Sequence, residues 1–214
     1  MNSDNSMPVI ILGAGGHAKV LVNILRLTGR NIIGLLSTDV EPGSESCGSF
    51  VLGDESAVEQ YTPEEIELVN GIGAVPGNTA RWEQAYRMRS LGYRFANVVH
   101  PSAVIAEDAE IAEGVQVMAG AVIQPGVEVG VDAIINTGVL IDHDCVVGRR
   151  CHIAPGVVCS GNVQIGNGVH IGVGSSIIQG ISIGQDSIVA AGSVVYGDIP
   201  DNVTFIQKRQ PVYK

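Results

Sequence analysis

Residues 117–152 read VMAGAV IQPGVE VGVDAI INTGVL IDHDCV VGRRCH, six hexapeptides that each begin with Val or Ile. The same register runs from Val99 to Val195, where sixteen of seventeen positions are Val or Ile and the exception is Cys159. A small or β-branched residue follows each of these positions four residues later, and glycine is frequent between them. Neither the 3.6-residue period of a helix nor the two-residue period of a strand sustains this pattern.

A six-residue period is typical of a parallel β-helix, in which each hexapeptide supplies one short strand and one turn. Three hexapeptides close a triangular coil, with Val or Ile pointing into a narrow interior and Gly or Asn at the tight corners. The repeat therefore predicts a prism of about five coils.

Composition excludes several classes of protein. The chain has 214 residues, of which 45% are hydrophobic, and this is enough for a folded core. A net charge of −10 argues against a nucleic-acid partner, which would require a basic face. Residues 1–7 lack the features of a signal peptide, and no run of about 20 mostly apolar residues is present. We therefore expect a cytoplasmic protein with no membrane insertion. The four cysteines show no CxxC spacing and are predicted to be small buried residues.

A change of composition near residue 97 predicts two domains. Aromatic residues stop at Phe95 and resume at Tyr196, and seven of the twelve basic residues precede residue 97. The interpretation is an α/β domain over residues 1–97, a β-helix over residues 98–200 and a C-terminal tail over residues 201–214.

The first domain begins like half of a Rossmann fold. Val9–Leu12 is predicted as a buried strand, the next six residues read GAGGHA, a helix is predicted over Ala18–Leu27, and a second strand over Ile32–Leu36. A G-x-G-x-x-A turn between strand and helix allows backbone to approach a phosphate, whose charge favours the helix N-terminus. Since fewer than 100 residues hold only one mononucleotide-binding half, a nucleotide sugar is a better candidate ligand than NAD.

The substrate-binding candidates in this domain lie in the glycine turn and after the second strand. They are Gly13, Gly15, Gly16, His17 and Asp39. The alternative for the turn is a tight strand-to-helix connection with no ligand. A further helix is predicted over Asn78–Leu91 and a further strand over Arg94–Val98.

The hexapeptide pattern resembles the left-handed parallel β-helix of hexapeptide-repeat acyltransferases, and this resemblance implies both the left hand and a homotrimer. The GAGGH turn together with the IDHDC segment over residues 141–145 is similar to the sialic acid O-acetyltransferase-like subfamily. That subfamily includes N-acetyltransferases of nucleotide-linked 4-amino sugars of the bacillosamine and perosamine type. The resemblance covers nearly the whole chain, and it implies acetyl-CoA as co-substrate and no metal.

One departure from the subfamily concerns the nucleotide. The subfamily often ends its second strand with an acidic run of the form Leu-Asp-Asp-Asp, whereas residues 36–39 of this chain read LSTD. UDP, GDP and CMP therefore remain open, with UDP favoured.

The candidate catalytic residue is His143. A histidine pKa near about 6.5 suits proton removal at neutral pH, and a neighbouring carboxylate orients the ring. Asp144, or less favourably Asp142, is the candidate carboxylate, and the resemblance implies the His143–Asp144 pair. His152 and His170 lie one coil apart and are expected to stack on one edge of the prism. The resemblance implies that His152 contacts acetyl-CoA near the thioester.

A trimer would bring the two candidate histidines together, since His143 lies half a coil before His152 and therefore faces another side of the same chain. The active site would then lie between subunits. Other candidates for acetyl-CoA binding are a polar residue near His143, small residues along the prism, and basic residues after it. They are Asn136, Gly172, Gly174, Ala190, Lys208 and Arg209.

The leading hypothesis is acetyl transfer from acetyl-CoA to the 4-amine of a nucleotide-linked amino-deoxy sugar. The nearest alternative is O-acetylation of sialic acid or a related sugar by the same mechanism. Two further classes stay open. One is a zinc lyase of the β-helical carbonic anhydrase type, which needs three converging histidines. The other is a non-catalytic trimer that binds nucleotide sugars.

Overall fold

The structure is a computed structural model that describes residues 7–207. The chain forms two compact units, of which the first ends at Pro101 and the second begins at Ser102. In the described part of the chain, no helix is long and apolar enough to cross a membrane.

The elements of the N-terminal unit are, in chain order, β1 (Val9–Leu12), α1 (Gly16–Leu27), β2 (Ile32–Leu36), β3 (Glu45–Ser46), β4 (Ser49–Gly53), a 3-10 helix (Glu55–Gln60), β5 (Glu67–Asn70), α2 (Ala80–Ser90) and β6 (Val98–Val99). Five of the strands form a sheet with the order β3-β4-β2-β1-β5, in which only the β3–β4 pair is antiparallel.

Burial explains the central elements of this unit. All four residues of β1 are buried, and the strand lies between β2 and β5. Helix α1 buries one apolar face, as its spacing of apolar residues predicts. Those buried residues are Ala18, Leu21, Val22, Ile24 and Leu25.

The structure confirms both predicted strands of the glycine-turn region, and both predicted helices agree to within two residues. The prediction of one strand over Arg94–Val98 is wrong. Phe95 makes only an isolated parallel bridge with Leu68, and the regular strand is the two-residue β6. The segment around Phe95 pairs with β5 over one residue only, and the sequence does not reveal where that pairing ends.

The second unit is a parallel β-helix with three faces. The first face contains β7 (Val104–Ile105), β10 (Val122–Ile123), β13 (Leu140–Ile141), β16 (Val158–Cys159), β19 (Ser176–Ile177) and β22 (Val194–Val195). The second face contains β8 (Glu110–Ile111), β11 (Glu128–Val129), β14 (Val146–Val147), β17 (Gln164–Ile165) and β20 (Ser182–Ile183). The third face includes β9 (Gln116–Val117), β12 (Ile134–Ile135), β15 (His152–Ile153), β18 (His170–Ile171), β21 (Ile188–Val189) and β23 (Thr204–Phe205).

The pairing register places equivalent residues of successive coils on top of one another. Val122 pairs with Leu140, and Ile123 pairs with Ile141. The second residue of each strand points inward, and Ile135, Ile153 and Ile171 are fully buried. This aliphatic ladder is the interior of the prism, because only side chains of this size fill so narrow a space.

The corners of the prism require left-handed backbone. Most of these positions carry Gly, which adopts a positive φ without steric cost, and Asn and Asp tolerate it better than other residues. The non-glycine corner residues with positive φ are Asp132, Asp144, Arg150, Asn162, Asp186 and Asn202.

Three of the four cysteines are buried in the β-helix, as predicted. Burial raises the pKa of the Cys151 and Cys159 thiols to about 12, so both remain protonated at neutral pH. Cys47 differs, because it lies half-buried in the turn between β3 and β4, where its Sγ donates to the Ala14 carbonyl at 3.2 Å.

Candidate active site

The His143–Asp144 pair lies at the corner between β13 and β14. The His143 Nδ1 and the Asp144 Oδ2 are 2.8 Å apart, and both side chains are exposed in the single chain, at 59% and 68%. The Asp142 Oδ1 accepts the backbone N–H of His143 at 2.8 Å, which fixes the corner itself. Asp144 occupies the left-handed corner position, with φ of +59°. The predicted pair is therefore held by local backbone geometry.

Hydrogen bonding to Asp144 fixes the tautomer of His143. An ionised carboxylate only accepts hydrogen bonds, so Nδ1 carries the proton and Nε2 of the neutral ring is a free acceptor. The Asp144 hydrogen bond, aided by the charge of Asp142, raises the pKa of His143 above its ordinary value. The ring is thus arranged to accept a proton at Nε2 and to remain stabilised once charged.

Two glycines on neighbouring coils leave the space that the pair occupies. A Cβ on Gly161, one coil beyond His143, would lie 2.6 Å from the His143 Nε2. A Cβ on Gly126, one coil before Asp144, would lie 2.7 Å from the Asp144 Oδ1. Sequence reasoning missed both residues, although their offset from the pair by one 18-residue coil is a signal that could have found them.

A second polar cluster lies at the corner between the third and first faces. Asn136 Nδ2 and His152 Nε2 are 3.1 Å apart, while Asn136 Oδ1 accepts the backbone N–H of Thr137 at 2.8 Å. Because the Thr137 contact fixes the amide orientation, Asn136 donates and the His152 Nε2 accepts. His152 and His170 are paired on β15 and β18, and their rings meet edge to face with centroids 4.8 Å apart. Burial lowers the pKa of His170.

The small residues predicted along the prism form part of the same corner. Asn136, Gly172 and Ala190 occupy equivalent positions on different coils, each donating its backbone N–H to the neighbouring coil. Gly174 lies at the left-handed position of the same corner, where φ is +66° and an added Cβ would meet nothing within 4 Å. The small side chains at these positions keep this corner of the prism narrow, and an added Cβ on Gly172 would meet the Ala191 backbone N at 2.5 Å.

The N-terminal unit contains a separate cleft of about 520 Å³ at the carboxyl ends of β1, β2 and β5. All five predicted substrate-binding residues line it, namely Gly13, Gly15, Gly16, His17 and Asp39. Helix α1 begins there with no side-chain cap and no acidic residue in its first turn. A Cβ on Gly15 or Gly16 would meet nothing within 4 Å, so both backbones face open space that an anion can approach.

Several residues of this cleft were not predicted as binding residues. Ser37 and Thr38 line it beside Asp39, and the Ser37 Oγ accepts the Asp39 backbone N–H at 3.2 Å. The loop 71–73 after β5 and two residues of α2, Ala80 and Gln84, form another part of the lining. These residues line the cleft because α2 packs on the end of β5, and no local sequence motif predicts that packing.

Some candidates are not brought together within one chain. His143 lies at the corner after the first face, whereas His152 lies on the third face. Within residues 7–207, no group of three His, Cys, Asp or Glu side chains is placed to hold a metal ion. Lys208 and Arg209 lie outside the described residues.

A parallel β-helix of hexapeptides with an α/β domain before it is the architecture of a hexapeptide-repeat acyltransferase. Residues 8–87 match the model of the PglD N-terminal domain, and residues 162–196 match the hexapeptide repeat of succinyl-transferase. UDP-N-acetylbacillosamine N-acetyltransferase of Bacillus subtilis (strain 168) is 35% identical over 114 residues. That alignment covers 52% of this chain and about half, 51%, of the relative.

Two solved structures are similar over most of both chains. A histidine variant of perosamine N-acetyltransferase from Caulobacter crescentus, in complex with CoA and GDP-perosamine, is 36% identical with a TM-score of 0.84. The similarity covers 92% of this chain and 93% of that one. The acetyltransferase domain of PglB from Neisseria gonorrhoeae, in complex with acetyl coenzyme A, is 32% identical with a TM-score of 0.82. There the similarity covers 92% of this chain and 94% of that one.

The chain belongs to the subfamily of hexapeptide-repeat acyltransferases that contains the bacillosamine- and perosamine-type N-acetyltransferases. The predicted fold class, an α/β half-Rossmann domain followed by a left-handed parallel β-helix, is confirmed.

Replacing Asp144 by Asn tests the electrostatic coupling in the pair. The neutral amide removes the carboxylate charge and weakens the hydrogen bond that raises the pKa of His143, so the acid limb of the kcat/KM profile should move to lower pH. At neutral pH, kcat should fall about tenfold or more because the imidazolium is less stabilised. The measurement is the pH dependence of acetyl transfer. The matched control is Asp142→Asn, whose carboxylate does not bond the ring and whose shift should be smaller. An unmoved acid limb in Asp144→Asn would contradict the account.

Gly161→Ala tests whether the neighbouring coil positions His143. The added methyl displaces the ring, and a displacement of about 1 Å can cost on the order of a hundredfold in rate. We expect a fall in kcat of at least about tenfold with little change in melting temperature. Gly197→Ala is the control, because a Cβ there meets nothing within 4 Å and the backbone is not left-handed. Equal rates in the two variants would show that Gly161 has no positioning role.

Proposed function

We propose that the protein transfers acetyl from acetyl-CoA to the 4-amine of a nucleotide-linked amino-deoxy sugar, with His143 as general base. The observation that carries the proposal is the 2.8 Å contact between His143 Nδ1 and Asp144 Oδ2. It leaves Nε2 of the neutral ring as a proton acceptor at an exposed corner. The relatives of bacillosamine and perosamine type, whose names state N-acetylation, support the same class of acceptor.

The proposed step consists of one proton transfer and one acyl transfer. His143 Nε2 removes a proton from the sugar amine, whose nitrogen forms a bond to the thioester carbonyl carbon. The carbon–sulfur bond then breaks, and the departing thiolate receives the proton from the imidazolium. Asp144 stabilises the imidazolium between these two transfers.

The corner at Asn136 and His152 is the proposed acetyl-CoA site. The contact of Asn136 with His152 Nε2 orients the histidine ring at this corner, where we expect it to lie beside the thioester. The small residues Gly172, Gly174 and Ala190 along the same corner are the proposed contacts of the pantetheine arm. Lys208 and Arg209 stay candidates for the phosphates of coenzyme A, on charge alone.

The cleft of the N-terminal unit is the proposed nucleotide site. The N-terminus of α1, which no side chain caps, suits a diphosphate, and His17 lines the cleft beside it. UDP is the favoured nucleotide, and the product would enter glycan or glycoprotein sugar biosynthesis. A cytoplasmic location stays part of this proposal.

A homotrimer would complete the site. The outward residues of the first face are mainly aliphatic and well exposed, among them Leu140 at 43%. This face lies between the corner that carries His143 and the corner that carries Asn136. Packing of the face against a neighbouring chain would bury apolar area and bring the His143 edge of one chain towards the His152 edge of the next.

Leu140→Asp tests this assembly. A carboxylate on the aliphatic face opposes its burial, so the variant should be a monomer with little activity, whereas the wild type should be a trimer. Light scattering after size-exclusion chromatography gives the mass. Gln164→Asp is the control, since Gln164 occupies the equivalent outward position on the polar second face and should leave the assembly intact. A trimeric Leu140→Asp variant would place the interface elsewhere.

The direct test of the function is turnover with a panel of acceptors. Purified protein, acetyl-CoA and one acceptor at a time would be followed by thiol release. The acceptors are UDP- and GDP-linked 4-amino-6-deoxy sugars, and free and CMP-linked sialic acid. We expect turnover with an amino sugar and a loss of about 10²- to 10⁴-fold in kcat in His143→Ala.

Other outcomes reassign the protein in defined ways. Turnover with sialic acid alone would identify an O-acetyltransferase. Binding of acetyl-CoA without turnover of any acceptor would contradict the proposed substrate class. Binding of nucleotide sugars without acetyl-CoA binding would favour the non-catalytic alternative.

A further inference from the structure

The inner face of α2 is unusually polar for a helix that packs on a core. Its buried residues are Arg81, Gln84, Ala85 and Met88, which share one face at helical spacing. Such positions are usually aliphatic, because a buried polar group costs free energy unless it is hydrogen-bonded. Each of the two polar side chains on this face, Arg81 and Gln84, therefore needs hydrogen bonds that offset the cost of its burial.

Arg81 finds hydrogen-bond partners within the protein. Its Nη1 donates to the carbonyls of Asn70 at 2.8 Å and of Ile72 at 2.5 Å. Asn70 returns the contact, since its Nδ2 donates to the Arg81 carbonyl at 2.9 Å and its Oδ1 accepts the Ile72 N–H at 3.2 Å. These bonds fix the start of α2 against the end of β5, where the loop 71–73 lines the nucleotide cleft.

Gln84 lies one turn further along α2, and its side-chain nitrogen differs from Arg81 in this respect. Its side chain is only 7% exposed and lines the cleft together with Ala80 and the loop 71–73. Within residues 7–207, its Nε2 is buried and has no hydrogen-bond partner. A carboxamide nitrogen is a donor only, so what the site lacks is an acceptor atom.

We infer that Gln84 is a nucleotide-binding residue: a change of its side-chain rotamer turns Nε2, which is buried here, towards an acceptor oxygen of the nucleotide in this cleft. The inference rests on the proposed function, because it takes the ligand to be a nucleotide. Phosphoryl oxygens and base carbonyl oxygens are the acceptors that such a ligand carries. In the sheet, β1 lies between β2 and β5, so Gln84 and the Ser37–Asp39 segment flank the glycine turn from opposite sides.

This role predicts opposite effects on stability and on binding. Leucine has a similar volume and would extend the apolar surface of Ala85 and Met88 without leaving a buried donor. Gln84→Leu should therefore melt at the same temperature as the wild type or higher. It should nevertheless bind nucleotide about ten- to hundredfold more weakly, since one hydrogen bond to the ligand is lost.

The experiment is isothermal titration calorimetry of the full chain with UDP, GDP and inorganic pyrophosphate in turn. It compares the wild type, Gln84→Leu and Gln84→Met, and the melting temperature of each is measured. Gln84→Met is included in case the branched leucine side chain does not fit the space of Gln84. Gln60→Leu is the matched control, because Gln60 is exposed and lies outside the cleft lining. Acetyl-CoA affinity serves as a second control, which should not change in any variant.

The three ligands distinguish the two sources of the acceptor oxygen. A contact to phosphate predicts the same loss for all three ligands, whereas a contact to a base carbonyl predicts a loss for a nucleotide but not for pyrophosphate. Either result supports the inference. It would be overturned by wild-type nucleotide affinity, within about twofold, in both Gln84 variants. A wild-type protein that binds none of the three would overturn the proposed nucleotide site as well, so the two failures are distinguishable.

Discussion

The stacking of inward aliphatic side chains in a narrow prism is the constraint on which the rest of this structure depends. Val or Ile recurs at each inward position, so every coil must repeat the pairing register of the coil before it. The corners then have little freedom, since the chain must turn within a few residues and adopts left-handed backbone to do so. Any side chain at a corner is consequently held in a position that the whole ladder determines.

The candidate catalytic pair uses this rigidity. Asp144 stands at a corner position that glycine fills on several other coils, so its carboxylate is held against the His143 ring with little need for support from elsewhere. The same register brings Gly161 and Gly126 next to the pair, where any larger residue would displace it. Along another corner the register aligns Asn136, Gly172 and Ala190, and Asn136 contacts His152. The candidate site residues of this unit are thus a few polar side chains held in a repeating frame.

The sequence made the β-helix, the glycine turn and the His143–Asp144 pair predictable, because each is written in a local or strictly periodic pattern. Gly161 follows from the same period but carries no motif of its own. The role of Gln84 could not be predicted from the sequence, because it depends on the packing of α2 on β5 and on the buried contacts of Arg81. The prediction of a strand over Arg94–Val98 was wrong for a related reason, because the sequence does not reveal where the pairing with β5 ends.

We propose that the active site forms between chains, with His143 from one and His152 from its neighbour. Subunit mixing of two inactive variants, His143→Ala and His152→Ala, tests it most directly. Because each mixed assembly contains some sites in which both histidines are intact, an equal mixture should recover about one quarter of the wild-type rate. Activity that stays at the level of the separate variants, after subunit exchange has been verified, would contradict the account.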